Sequence, residues 1–206
     1  MAARESFARR VSVAGRVTDA LTGGSIAGAT VLIVTAPKEF TAWLAIRSTE
    51  LASRGVGRLG MPDAAVTGPD GWFHFDGLPD GKYAVEASLP SAGTRYGTAR
   101  KKVTVKRVPD APSTAADASL ALAPTAITGV VRDAAGAAVP MAEIRIRGSG
   151  EKALSDAQGR YTLSAIERGT RIVLASARGL APASVTVTLA DAGVQEKLDI
   201  ALSPAG

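Results

Sequence analysis

The sequence holds one histidine and no cysteine. That histidine, His74, sits in TGPDGWFHFDGLPDGKYAVEA (residues 67–87), close to Asp70, Asp76 and Asp80. Three chemistries suit such residue types. A histidine flanked by an aspartate and a serine can activate a nucleophile, but no Gly-x-Ser-x-Gly elbow or comparable nucleophile context accompanies it. Zinc needs three or four nitrogen, sulfur or oxygen ligands, and a single histidine without cysteine falls short. Three neighbouring aspartates could hold a hard cation, yet their Pro-Asp-Gly and Asp-Gly settings assign them to turns, where aspartate bonds its own backbone. No carboxylate spacing calls for paired-carboxylate hydrolysis. These residues point to no enzyme, no metal site and no cofactor.

The elements around them explain the stretch better. The chain has 206 residues, 46% of them hydrophobic, with 22 glycines and 11 prolines. That composition suits short strands separated by many turns. An internal repeat organises it. VAGRVTDALTGGSIAGATVLIV (13–34) resembles ITGVVRDAAGAAVPMAEIRIRG (127–148), and TGPDGWFHFDGLPDGKYAVEAS (67–88) resembles LSDAQGRYTLSAIERGTRIVLAS (154–176). Gly15 aligns with Gly129, Asp19 with Asp133, Gly71 with Gly159, Phe73 with Tyr161 and Gly81 with Gly169. Each copy carries about seven runs of alternating apolar and polar residues bounded by turn clusters, the pattern of an antiparallel two-sheet sandwich. The expected architecture is all-β: an N-terminal arm (1–10), sandwich 1 (11–124) and sandwich 2 (125–206), each seven-stranded and antiparallel.

The order G-x-V-x-D, x-x-A-x-V, D-x-x-G-x-F/Y and L-P-x-G-x-Y resembles the carboxypeptidase regulatory-like domain. It is carried by Gly15 to Asp19, Gly28 to Val31, Pro69 to Phe73 and Leu78 to Tyr83. The second copy keeps Asp156, Gly159 and Tyr161 but reads Ile166-Glu-Arg-Gly169-Thr-Arg171, without the Pro and Tyr. The resemblance implies a transthyretin-like (Ig-like, prealbumin-like) seven-stranded sandwich in each copy. It also implies non-catalytic modules that serve beside peptidases, in receptors, in adhesin-like arrays and in phage-tail-like assemblies, with no shared catalytic residues to transfer.

The copies differ in one place. Ile33 and Ile146 are 113 residues apart, whereas Gly71 and Gly159 are 88 apart, so copy 1 carries 25 extra residues at about 36–65. Within APKEFTAWLAIRSTELASRG, Pro37 suits a first helical turn and Gly55 a stop. Phe40, Trp43, Leu44 and Leu51 share one face of that helix, with Ile46 at its margin, and Arg47 lies in the same stripe. The helix either packs over its own sandwich or docks another protein; the tail VGRLGMPDA reads as irregular. Strand parity turns Phe73 and Phe75 inward and Trp72 and His74 outward. An outward Trp72 needs a cover, for which the helix is a candidate, a protein interface, or a sugar ring to stack on.

The chain carries 24 Lys and Arg against 19 Asp and Glu, a net charge of +5. Arg100, Lys101, Lys102, Lys106 and Arg107 concentrate on one strand, whose first role is to blunt a sheet edge, followed by contact with an acidic partner. Nucleic acid is disfavoured because base-stacking aromatics are sparse and no recognised binding motif is present. No apolar run suits membrane insertion, and the first residues lack a signal-peptide h-region. The expectation is cytoplasmic synthesis, with any release by a non-Sec route in a particle. The expected role is a structural or adaptor protein that contacts another protein or its own subunits in an assembly such as a phage-tail-like contractile particle. The alternatives are a carbohydrate- or surface-binding module and an accessory subunit of a separate enzyme.

Overall fold

The computed structural model of the chain describes residues 11–106 and 115–205; the 1–10 arm and Arg107 lie outside the described residues. Two compact units emerge. One comprises residues up to Pro90 together with Thr98–Leu122; the other comprises Ser91–Gly97 together with the chain from Ala123 onward.

Each unit is a two-sheet β-sandwich, and the two are built strand for strand alike. In unit 1 one sheet has the order β4 (Trp72–Asp76), β1 (Val11–Asp19), then β7 (Ala116–Asp117) and β8 (Leu120–Leu122) along the same side of β1. The other has the order β3 (Ala64–Val66), β2 (Thr30–Thr35), β5 (Gly81–Ser88), β6 (Ala99–Val105). Unit 2 repeats this. Its β9 (Ala126–Asp133) is flanked by β12 (Arg160–Leu163) and by β15 (Gln195–Lys197) with β16 (Ile200–Leu202). Its second sheet runs β11 (Lys152–Leu154), β10 (Glu143–Ile146), β13 (Gly169–Ser176), β14 (Ala183–Leu189).

The period-two pattern does what alternation requires. Phe73 and Phe75 are buried while Trp72, His74 and Asp76 face solvent; Tyr161 and Leu163 are buried while Arg160 and Thr162 face out. The cores are aliphatic, with Val13, Val17, Val31 and Val85 in unit 1 and Ile127, Ile144, Leu163 and Leu189 in unit 2.

One detail departs from a purely antiparallel sandwich. The closing strand pairs parallel to the first and is broken in two, as β7 and β8 in unit 1 and as β15 and β16 in unit 2. The motif glycines explain the break. A Cβ on Gly15 would stand 2.5 Å from the carbonyl carbon of Ala118, and one on Gly129 would stand 1.8 Å from the carbonyl oxygen of Leu198. Glycine lets the closing strand cross against the first strand's backbone.

Other motif positions act locally. Asp19 Oδ1 accepts from the amides of Leu21 and Thr22, and Asp133 Oδ1 from those of Ala135 and Ala137, fixing the turn after the first strand. Thr67 and Ser155 are buried hydroxyls in equivalent places. Each accepts from the amide that opens the second strand region (Ala29, Ala142) and donates to a carbonyl upstream (Ile26, Val139).

Candidate interaction surface

The extra residues of copy 1 form α1 (Lys38–Ser53) and a 3-10 turn (Arg58–Gly60) between β2 and β3. Pro37 immediately precedes the helix. At its other end Gly55, with φ +78°, donates to Ala52 O at 2.9 Å and Val56 N–H reaches Leu51 O at 3.0 Å. That pair of bonds is a Schellman stop, which needs a left-handed residue.

The helix is held at its first turn. Phe40 is its one buried residue and packs edge-on against Tyr83 at 5.9 Å between centroids. Leu44, Arg47 and Leu51 are half-buried, and Arg47 bonds Glu50 at 2.5 Å on the helix itself. Trp43, expected on the inward stripe, is 48% exposed, and Ile46 is 76% exposed. Trp43 lies alongside the Phe40 ring, 5.6 Å away between centroids, rather than in a core. The tail is ordered: Arg58 clamps Asp63 through two bonds of 2.6 and 2.7 Å.

At the foot of α1 lies a pocket of about 380 Å³, formed by Glu39, Phe40 and Trp43, by Pro62 of the tail, and by the Asp76–Pro79 turn between β4 and β5. Its walls are apolar, while Glu39 and Asp76 supply carboxylates. The turn is itself pinned, since the Tyr83 hydroxyl donates to Pro79 O at 2.9 Å. The insert's path crosses β5 at Gly81, where a Cβ would sit 2.4 Å from Pro37 Cγ.

Trp72 lies elsewhere. It is on the β4–β1–β7 sheet, opposite Arg16 in register, and is 51% exposed. The helix does not cover it, contrary to one expectation, because α1 spends its aromatic contact on Tyr83 of the other sheet. Arg16 bonds Asp70 O at 2.9 Å and the Ser25 hydroxyl. His74, opposite Ala14, is exposed, with its Nε2 3.9 Å from Asp76. Asp70 serves its turn by accepting from the Trp72 amide.

The basic strand is β6, at an edge of its sheet. Arg100 pairs with Glu86 at 2.7 Å and Lys101 with Asp117 at 2.7 Å. Bonds from Lys101 and Ser119 hold the Asp117 carboxyl down at about 2. Lys102 and Lys106 are exposed.

Unit 2 contains a cluster that composition and spacing did not reveal. Arg95, from Ser91–Gly97, bonds the Ala165 carbonyl at 2.9 Å, Glu167 at 3.2 Å and also Glu151. Glu167 further accepts from the Thr94 amide at 3.0 Å and from its hydroxyl. Bonds from Thr94, then the Arg95 charge, hold the Glu167 carboxyl below its ordinary range. Burial works to raise the Glu151 carboxyl, but bonds from Ser149, its own amide and Arg95 outweigh it and leave it lowered. The clue in the sequence was the exchange of Leu78-Pro-Asp-Gly-Lys-Tyr83 for Ile166-Glu-Arg-Gly-Thr-Arg171. Arg171 Nε donates to Glu167 O at 2.8 Å, taking over the bond that Tyr83 makes to Pro79 O.

Among the described residues no group of three His, Cys, Asp or Glu could hold a metal ion, and no helix is long and apolar enough to cross a membrane.

Two β-sandwiches of one plan, joined in one chain and unequally elaborated, define a tandem β-module protein. The chain belongs to the carboxypeptidase regulatory-like domain family, which matches residues 12–120 and 126–203. No curated protein matches it. Among solved structures, the shaft pilin SpaA from Lactobacillus rhamnosus GG is similar at 15% identity, over 96% of this chain and 99% of that one, with a TM-score of 0.42. The TIE protein of Bacillus anthracis is similar at 13% identity, over 95% of this chain and 34% of that one, with a TM-score of 0.35. A type II cohesin–X-dockerin complex from Acetivibrio cellulolyticus is similar at 14% identity over 38% of this chain, with a TM-score of 0.31. The match spans 56% of that chain and 58% of a related mutant complex. These likenesses concern β-domain architecture alone.

Proposed function

We propose that the chain is a non-catalytic structural or adaptor protein that binds another protein through the α1 surface of unit 1. The observation that carries this reading is a 16-residue helix with one buried residue, leaving Trp43 and Ile46 to solvent. A helix added only to fill space would bury its apolar stripe, because its own stability comes mostly from such packing. Exposed aromatic and aliphatic side chains on a fixed helix are what an interface core uses. In the finer form of this reading, the partner belongs to an assembly of repeated subunits, a phage-tail-like contractile particle being the concrete case that the family resemblance brings.

The test is the double variant Trp43→Ser/Ile46→Ser, followed by sedimentation in extracts of the source cells. The native chain is expected in a complex far larger than itself, and the variant is expected to sediment as a free, folded protein. A variant that stays in the complex overturns the reading. A second surface has its own supporting observation: Trp72, at 51% exposed, offers a flat ring on a sheet face. Binding to a glycan panel that vanishes in Trp72→Ala would make unit 1 a carbohydrate-binding module instead.

A further inference from the structure

The pocket at the foot of α1 has an occupied counterpart in the same molecule. Residues Asp76, Gly77, Leu78 and Pro79 of unit 1 correspond to Ser164, Ala165, Ile166 and Glu167 of unit 2, and Asp63 corresponds to Glu151. In unit 2 this place holds the guanidinium of Arg95, bonded to the Ala165 carbonyl, Glu167 and Glu151. In unit 1 the corresponding place is an open pocket. Its Asp63 is already taken by Arg58, but Glu39 and Asp76 bring two other carboxylates to the lining. Among the described residues Glu39 forms no ion pair, and Asp76 meets only His74, at 3.9 Å. Apolar walls of Phe40, Trp43 and Leu78 with carboxylates nearby suit an arginine: its stem lies along the walls and its planar head faces the indole and the acids.

The segment that supplies Arg95 follows the fifth strand of copy 1 in sequence. The corresponding segment of copy 2 is the turn between β13 and β14, and it also carries an arginine. Arg178 occupies the second position of a tight turn closed by Leu180 N–H to Ala177 O at 3.2 Å, with Gly179 at φ +78°. It is exposed and makes no ion pair among the described residues. We infer that the pocket binds Arg178 of a second copy of this chain, so that copies join head to tail at the place in unit 1 that corresponds to the one Arg95 fills in unit 2. Such a contact is heterologous and does not close on itself by symmetry, so it propagates into a ring or a filament. This inference rests on reading the α1 surface as a docking surface.

The test is analytical ultracentrifugation of the purified full-length chain over a concentration series at low and high salt. The weight-average mass should rise with concentration at low salt and fall back at high salt. Arg178→Glu alone and Glu39→Lys alone should each weaken self-association about tenfold or more, and an equimolar mixture of the two should restore it. Circular dichroism of each variant confirms that the sandwiches are intact. A native chain that stays monomeric throughout, or an Arg178→Glu chain that associates like the native one, overturns the inference. The underlying reading fails separately: if Trp43→Ser/Ile46→Ser abolishes the native complex while Arg178→Glu leaves it unchanged, α1 docks a partner but that partner is not a second copy.

Discussion

The two sandwiches share a backbone and spend it differently. Unit 1 places glycine at its left-handed turn positions Gly28 and Gly77, with φ of +72° and +64°; unit 2 places Met141 and Ala165 at the equivalent positions and keeps φ at +55° in both. A left-handed residue with a Cβ is strained. In unit 2 the strained Ala165 is the residue whose carbonyl Arg95 holds. In unit 1 the unstrained Gly77 borders an open pocket. Exposed apolar side chains follow the same division: of the ten large ones among the described residues, eight are in unit 1, and only Met141 and Leu154 are in unit 2. Unit 2 is tied off by a charge cluster; unit 1 has glycine at its turns and is apolar outside.

The largest test of this shared plan is the strand crossing. Gly129→Ala should destabilise unit 2, and Gly15→Ala unit 1, by about 3 kcal/mol or more, since each Cβ meets backbone that cannot swing aside. Hydrogen exchange read by mass spectrometry, peptide by peptide, assigns the loss to its unit. Gly129, the tighter of the two, should suffer more. Wild-type protection in either variant would break the comparison at its root.

The next test concerns what closes unit 2. Arg95→Met should cost that unit about 2 kcal/mol, the charge-assisted bonds being partly exposed. Because Glu151 and Glu167 are held below their ordinary range, the stability they add is complete above that range and is lost as pH falls through the lowered values. Acid unfolding of unit 2 should therefore be steeper in the native chain than in Arg95→Met. In unit 1, Asp117 is lowered from 3.8 to about 2, so its share should fade between about pH 4 and pH 2. An Arg95→Met chain with the native acid profile would show that the cluster does not close the unit.

The smallest effect sharpens the turn comparison by exchange. Ala165→Gly should stabilise unit 2 by about 1 kcal/mol, and Gly77→Ala should destabilise unit 1 by a similar amount. Chemical denaturation of both variants measures the pair, and equal signs would refute the assignment of strain.

Much of the fold was legible because its signals are local and occur twice. Alternation set which of Trp72, Phe73, His74 and Phe75 faces the core, and the repeat offset located the insert between the second and third strands. Pro37 and Gly55 bracketed the helix because helix ends have their own chemistry. What stayed hidden depends on partners far away in sequence. The exposure of Trp43 depends on the tertiary surroundings of α1, which no helical period encodes. The broken, parallel closing strand follows from Gly15 meeting Ala118, more than a hundred residues apart. Arg95 stands a few residues ahead of the basic strand in sequence, whereas its carboxylate partners lie in the other copy's sequence.

The ends of the insert are already fastened to each other. Ile33 N–H bonds Asp63 O at 2.9 Å in unit 1, and Ile146 N–H bonds Glu151 O at 3.1 Å in unit 2, although a long helical excursion separates the first pair and a short turn the second. The bond between the two anchors is kept in both units, although β2 carries a register shift after Ile33 that β10 lacks, and the entropy of closing such a loop grows only slowly with its length. The same sandwich plan thus closes over a short turn in one copy and over a helical insert in the other.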